Sequence, residues 1–279
     1  MTNCCAALTV SDNYVADRRL PDMPHPLFSI ITVTYNAAAT LPVTLESVRV
    51  QTCGLYECIV IDGASTDDTV AIARGSGVPG LRVVSEPDGG IYDAMNRGLD
   101  MACGDYVIFL NAGDALHSPM TLEHYAQTII EHDYPGIVYG QTRLVDSRRR
   151  NMGDRHLRAP EVLTLRSFAE GMVVCHQAMA VLKRITSEYD LKYRYSADYE
   201  WVIRCLQHSR RNVYVPEIVA DYLDQGVTTA NRGASLRERF RIMAHYYGWW
   251  PTMLRHLRFI PRYFAHKRRM RRAKTTITE

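Results

Sequence analysis

Residues 57–69 read ECIVIDGASTDDT: an unbroken apolar run from Cys58 to Ile61, an aspartate and a glycine at its end, then a cluster of Ser, Thr and Asp suited to a helix start. A short run that is apolar at every position is a strand covered on both faces, and its polar end marks the rim where the strand meets solvent. The same pattern recurs upstream in FSIITVTYN (28–36) and downstream in LRVVSE (81–86) and DYVIFLN (105–111). Helical patterns separate the runs, over 40–50, after STDDT, and in IYDAMNRGLDMA (91–102). Strand alternating with helix predicts an α/β fold, with a Rossmann-like, mostly parallel sheet carrying helices on both faces. Right-handed crossovers then place the ligand site at the carboxyl ends of the strands.

Polar residues gather at those ends: Thr34, Tyr35 and Asn36 after the first run, Asp62 and Gly63 after the second, Asn111 to Asp114 after the fourth. Ser65, Asp67 and Asp68 suit a capping-box-like helix start. Asp62 precedes that turn, is expected to cap nothing, and is read as an acceptor for a ligand N–H. Beyond 115 the pattern predicts a helix near 120–132, a strand at 136–145, a basic turn at 148–150 and irregular chain to 170. A buried segment MVVCHQAMAVL follows, then a helix over 198–208 with Ser196 as its cap, a strand at 212–223 and a glycine-containing cover loop at 224–233.

Length and composition bound the function. The 279 residues are 47% apolar and 23% charged, which excludes disordered, collagen-like and disulfide-scaffold classes. The seven cysteines include no C-x-x-C pair, so a thiolate zinc site is not expected and a reducing compartment is. The amino-terminal stretch lacks signal-peptide regions, and the longest uncharged runs, 171–182 and 242–254, are too short to span a bilayer. No G-x-G-x-x-G follows the first strand and no P-loop is present, against dinucleotide and P-loop chemistry. The net charge of +3 hides a strong asymmetry, since residues 239–274 hold 11 Lys and Arg with no acid while residues 1–238 are acidic.

SIITVTYN, ECIVIDGASTDDT, SEPDGGIYDAMNRGLDMACGDYVIFLNAGD, CHQAMAV and YSADYEW together resemble glycosyltransferase family 2, in its bacterial exopolysaccharide and lipopolysaccharide branch of colanic-acid type. The resemblance is dense over 27–115 and looser over 170–230. It implies the GT-A fold and an inverting transfer from a nucleotide-sugar donor, UDP-linked sooner than GDP-linked, to a growing, lipid-linked glycan. It also implies a divalent metal, Mn or Mg. Carried over residue by residue, the donor contacts fall on Thr34, Tyr35, Asn36, Asp62, Asp93, Asn96, Arg97 and Asn111, and the metal on Asp114. The base that deprotonates the acceptor falls on Asp198, with Glu200 as its fallback. His176 and Gln177 would line the acceptor side, together with Glu200. The sequence departs from the commonest D-x-D-D metal pattern, having Asn111, Ala112, Gly113 and Asp114 at those places.

This reading divides the chain into a tail (1–26), a nucleotide-binding half (27–115), an acceptor half (116–233) and a basic amphipathic extension (234–279). In the extension, a helix over 237–250 is expected to gather Phe240, Met243, Tyr247 and Trp250 on one side. Rings and bases interleaved there suit an anionic membrane surface, with the enzyme cytoplasmic and peripheral at the inner face; no RNA-binding platform appears, so nucleic acid is not an expected partner. Two rivals remain at this stage: a sugar nucleotidyltransferase, and a non-catalytic nucleotide-sugar binder suggested by the missing carboxylates.

Overall fold

The structure is a computed structural model describing residues 25–155, 157–224 and 232–257. The 28–34 run forms strand β1 (Phe28–Thr34), buried at every position, as its uncharged sequence requires. β2 (Tyr56–Asp62) and β3 (Leu81–Ser85) add to one side of β1 and β4 (Tyr106–Phe109) to the other, all parallel. Helix α1 (Leu41–Arg49) follows β1, α2 (Thr69–Gly75) follows β2 and α3 (Ile91–Met101) follows β3. The sheet order β3-β2-β1-β4 reverses direction of growth between β1 and β4. In open α/β sheets that reversal opens a crevice at the carboxyl ends of the two strands. α3 lies close on β1 because Gly98 faces Ile31; a Cβ at Gly98 would strike the Ile31 side chain.

The second half is mixed rather than parallel. It contains β5 (Ala115–Leu116), helix α4 (Thr121–Glu131), β6 (Ile137–Val145), β7 (Asn151–Asp154), β8 (Met179–Leu182), helix α5 (Ala197–His208) and β9 (Asn212–Leu223). β8 is antiparallel to both β4 and β6, β6 is parallel to β9, and β5 closes the far edge against β9. Because β8 reverses the direction between β4 and β6, the ends of β6 and β9 return to the same rim as the ends of β1 to β4. The core runs through both halves, with Phe109 edge-on to Tyr189 and Trp201.

Several expectations need correction. Chain expected to be irregular up to 170 contains β7, which pairs with β6 as a hairpin; its four residues are exposed and carry no apolar alternation. The helix after STDDT begins at Thr69, and neither Ser65 nor Asp68 caps it; Asp67 instead accepts from the Thr69 amide at 3.0 Å. Ser196 sits at the start of α5 but caps nothing, its hydroxyl lying 3.1 Å from that of Ser235.

The expected 237–250 helix is two helices. α6 (Arg232–Tyr247) ends before Gly248, whose φ of +86° suits a glycine turn, and a second helical segment spans 249–257. Met243 is buried in the core whereas Trp250, beyond the break, is 71% exposed, so the four residues do not share one face. Most of the cover loop, 225–231, and the basic stretch after 257 lie outside the described residues.

Candidate active site

Strand register builds the first wall of the site. Thr34 lies opposite Asp62, and Asp62 opposite Ser85, so three polar strand ends align in one row. Asp62 is fully buried and accepts from Thr34 Oγ1 (3.0 Å), Ser85 Oγ (2.7 Å), the Ser65 amide (2.8 Å) and the Ser65 hydroxyl. Two bonds on each oxygen fill the carboxylate, and a ligand N–H must displace a hydroxyl to reach it. The expectation that Asp62 caps nothing is thus corrected: it closes the 62–65 turn. Burial alone would raise its pKa, but bonds from Ser65, Ser85 and Thr34 outweigh that and hold the carboxyl below its ordinary range.

Asn36 adopts the left-handed region at φ +47°, which asparagine tolerates. Its amide donates to Ser65 Oγ at 2.7 Å and its side-chain oxygen accepts from the Thr66 amide at 2.9 Å, stitching the first two strand-end loops together. Tyr35, between these fixed neighbours, is 67% exposed, a ring held open at the rim.

The start of α3 forms the next wall. Asp93 accepts from the Gly89 amide at 2.9 Å and pairs with Arg97 at 3.0 Å, leaving that guanidinium partly exposed. The Asn96 side-chain nitrogen donates to the Tyr189 carbonyl and its side-chain oxygen accepts from the Tyr189 amide, so it ties the two halves together.

At the end of β4 the chain turns through Asn111–Asp114. Thr44 of α1 holds this turn, donating to the Asp114 carbonyl at 2.7 Å and accepting from the Gly113 amide at 2.8 Å. Arg149 of the β6–β7 hairpin donates to the Gly113 carbonyl at 2.7 Å. Gly113 has φ +101°, and a Cβ there would strike Leu223, so only glycine fits. Asp114 is buried, accepting from the Leu223 amide at 2.9 Å and Gln177 Nε2 at 2.8 Å. The side-chain oxygen of Asn111 is buried with no hydrogen-bond partner. An orphaned acceptor of that kind calls for a donor or cation that the protein itself does not supply.

Desolvation pushes the Asp114 pKa up to about 6 from an ordinary 3.8, against the opposing bonds from Leu223 and Gln177. A carboxyl whose folded pKa exceeds its unfolded one adds stability while protonated, fully below 3.8, and loses it as pH rises through about 6. Asp114→Asn is therefore expected to melt above the wild type at pH 7.5 and to shed this part of the pH dependence, by at most about 3 kcal/mol. Melting curves from pH 4 to 8 on the ligand-free proteins check this; a variant that melts lower at pH 7.5 contradicts it.

Asp198 opens α5 on the opposite side, its side chain 16% exposed. Tyr92 of α3 donates to its Oδ1 at 3.2 Å, and His176 Nδ1 lies 3.4 Å from its Oδ2. Burial would raise its pKa, but the His176 imidazole, Arg239 and the Tyr199 amide hold it ionised below the ordinary range. Glu200, one helical face away, is buried between Arg204 Nε (2.9 Å) and the Tyr246 hydroxyl (2.6 Å), and so braces α5 against α6. The structure therefore brings Thr34, Tyr35, Asn36, Asp62, Asn111 and Asp114 to one rim, and Asp198 with His176 to its inner wall. Asn96 and Glu200 serve the packing around it.

A family model described as "Glycosyl transferase family 2" matches residues 29–189, more than half of the chain and all of the strand-end rim from Thr34 to Asp114. The chain belongs to glycosyltransferase family 2. Its relatives include a "PGL/p-HBAD biosynthesis glycosyltransferase" of Mycobacterium bovis, 37% identical over 212 residues, 73% of this chain and 79% of that protein. The amylovoran biosynthesis glycosyltransferase AmsB of Erwinia amylovora is 27% identical, covering 70% of this chain and 69% of its own. Among solved structures, S. aureus TarS 1–349 in complex with UDP-GlcNAc superimposes with a TM-score of 0.61 at 19% identity, over 83% of this chain and 73% of that one. The longer TarS chain is matched over only 39% of its length. The mannosyltransferase PcManGT from Pyrobaculum calidifontis, in complex with GDP-Man and Mn2+, gives 0.57 at 18%, over 84% and 74%. The fold of this family 2 transferase is thus GT-A, as its sequence leads one to expect.

Proposed function

We propose that this transferase moves one sugar, with inversion, from a nucleoside-diphosphate donor to a glycan hydroxyl in surface polysaccharide or glycolipid synthesis. The carrying observation is that adjacent residues of one turn reach the two carboxylates, His176 Nδ1 lying 3.4 Å from Asp198 Oδ2 and Gln177 Nε2 2.8 Å from Asp114 Oδ2, with the unpartnered Asn111 oxygen in the same strand-end turn as Asp114. Tyr35, Asn36 and the row of Thr34, Asp62 and Ser85 form the nucleotide end, and Arg97 lies where it can meet the phosphates. Relatives solved with UDP-GlcNAc and with GDP-Man support a nucleotide-sugar donor.

Asp114 and the orphaned Asn111 oxygen fit a hard divalent cation, which takes one or two protein oxygens and completes its shell from diphosphate and water. The described residues hold no cluster of three His, Cys, Asp or Glu, so the protein alone offers an incomplete shell. A cation there, Mn or Mg, would neutralise charge on the leaving diphosphate. The protein's own part is to orient donor and acceptor and to take a proton. The acceptor O–H bond breaks toward Asp198, the acceptor oxygen bonds to the anomeric carbon, and the bond to the diphosphate oxygen breaks with its electron pair. A thermal-shift screen of UDP-, GDP- and dTDP-sugars with and without Mn2+ tests donor binding, since a ligand of the native state raises the melting temperature by mass action.

The acceptor we assign is lipid-linked and the location peripheral, at an anionic membrane. No described helix is long and apolar enough to cross a bilayer. On 249–257, however, Trp249, Trp250, Met253, Leu254 and Leu257 are exposed, while Thr252 is buried against the body and Arg255 reaches Glu170 at 3.5 Å. In sequence, nine bases run from Arg255 to Lys274. Rings at the headgroup boundary and bases on anionic lipid, at about 1 kcal/mol per base, give reversible attachment. Replacing Trp249 and Trp250 with serine and removing 258–279 is expected to abolish co-sedimentation with anionic vesicles at low salt, with the fold's melting transition retained. Undiminished co-sedimentation contradicts the membrane assignment.

A further inference from the structure

Two adjacent residues of one tight turn each hold a different carboxylate of the site. The single 3-10 turn His176–Ala178 is closed by the Ala178 amide on the Cys175 carbonyl at 3.0 Å and runs straight into β8, between β4 and β6. From it, Gln177 Nε2 donates to Asp114 Oδ2 at 2.8 Å, and His176 Nδ1 stands 3.4 Å from Asp198 Oδ2. Gln177 is 3% exposed and His176 7%. The His176 ring packs edge-on to Phe109, the last residue of β4, with centroids 6.4 Å apart. Neither of its ring nitrogens makes a hydrogen bond. A buried imidazole without a hydrogen bond is costly, and Asp198, 3.4 Å from Nδ1, is the acceptor that a small closing movement would supply.

We propose that His176 and Gln177 are positioning residues acting as one rigid spacer, Gln177 holding the carboxylate on the diphosphate side and His176 the one on the acceptor side. The inference rests on the assignment of Asp114 and Asp198 given above. In-line displacement demands that proton acceptor and leaving group face each other across the anomeric carbon, and a displacement of about 1 Å costs on the order of 100-fold in rate. A turn locked between β4 and β6 sets that separation more rigidly than two carboxylates carried on separate loops. Donation from the Nδ1–H tautomer to Oδ2, opposite the Tyr92 bond to Oδ1, fixes the plane of the Asp198 carboxylate and leaves a lone pair for the incoming hydroxyl. Arg239 from α6 also acts on the Asp198 carboxylate.

The test compares five variants by nucleoside diphosphate release from a pooled panel of UDP-, GDP- and dTDP-sugars with Mn2+, each beside its melting temperature. His176→Phe keeps the ring on Phe109 and loses Nδ1; His176→Asn restores a nitrogen near that place. His176→Phe is expected to lower kcat about tenfold or more with donor KM nearly unchanged, and His176→Asn to recover most of the loss. Added to Asp198→Asn, His176→Phe should cost nothing further, whereas Gln177→Leu should raise donor KM. Should the Phe variant fail to fold, His176→Ala replaces it, and the Asn variant must exceed it in kcat. Wild-type kcat in the Phe or Ala variant, beside a crippled Asp198→Asn, overturns this inference alone. Full turnover by Asp198→Asn, or no release by the wild type, overturns the function on which it rests.

Discussion

Asp198→Asn is expected to lower turnover by about 100-fold or more while the donor-induced rise in melting temperature stays at its wild-type size. The substitution keeps the shape and the Tyr92 contact and removes only the proton acceptor, so ground-state binding survives and the transition state loses its base. Steady-state kinetics with a saturating donor separate the two: kcat falls and donor KM does not. Turnover within a few-fold of wild type would move the base elsewhere. Glu200 is badly placed to take over, because Arg204 and Tyr246 already occupy its carboxylate.

Asp114→Ala is expected to erase the Mn2+-dependent part of donor affinity. The diphosphate is the most charged portion of the donor, and Asp114 is the single carboxylate of the 111–114 turn to which we assign the cation. With that carboxylate gone, calorimetric titration should give the same weak donor affinity with Mn2+ as with EDTA, a loss of about tenfold or more, equivalent to about 1.4 kcal/mol. The control is the ligand-free stability, which Asp114 lowers at neutral pH rather than raises. An Asp114→Ala protein that melts normally yet keeps its Mn2+ response would place the cation on other residues.

The parallel half of the fold was legible because each of its strands is a separate apolar run ending in a polar residue, a pattern that local sequence carries in full. Thr34, Asp62 and Asn111 could therefore be placed on one rim before any geometry was known. What could not be read was how these groups are used. Asp62 is filled by Ser65 three residues on and by Thr34 and Ser85 of the neighbouring strands, and Asn96 bonds the backbone of Tyr189, 93 residues away, pairings that local periodicity does not encode. The Gln177 bond to Asp114 joins residues 63 apart, and no periodicity encodes such a pair. β7 escaped because an exposed hairpin arm needs no apolar alternation. Ser196 was misread for a related reason: a serine before a helix has the right type and place for a cap, but Ser235 of α6 competes for its hydroxyl and wins.

The central claim, catalysis of sugar transfer from an activated nucleotide, is tested most directly by nucleoside diphosphate release from radiolabelled UDP-, GDP- and dTDP-sugars, with Mn2+ or EDTA, for the wild type and Asp198→Asn side by side. The account predicts release from one donor class, dependence on the cation, and loss of release in the variant. A donor that binds the wild type tightly but is never turned over, or is turned over equally by Asp198→Asn, would contradict it.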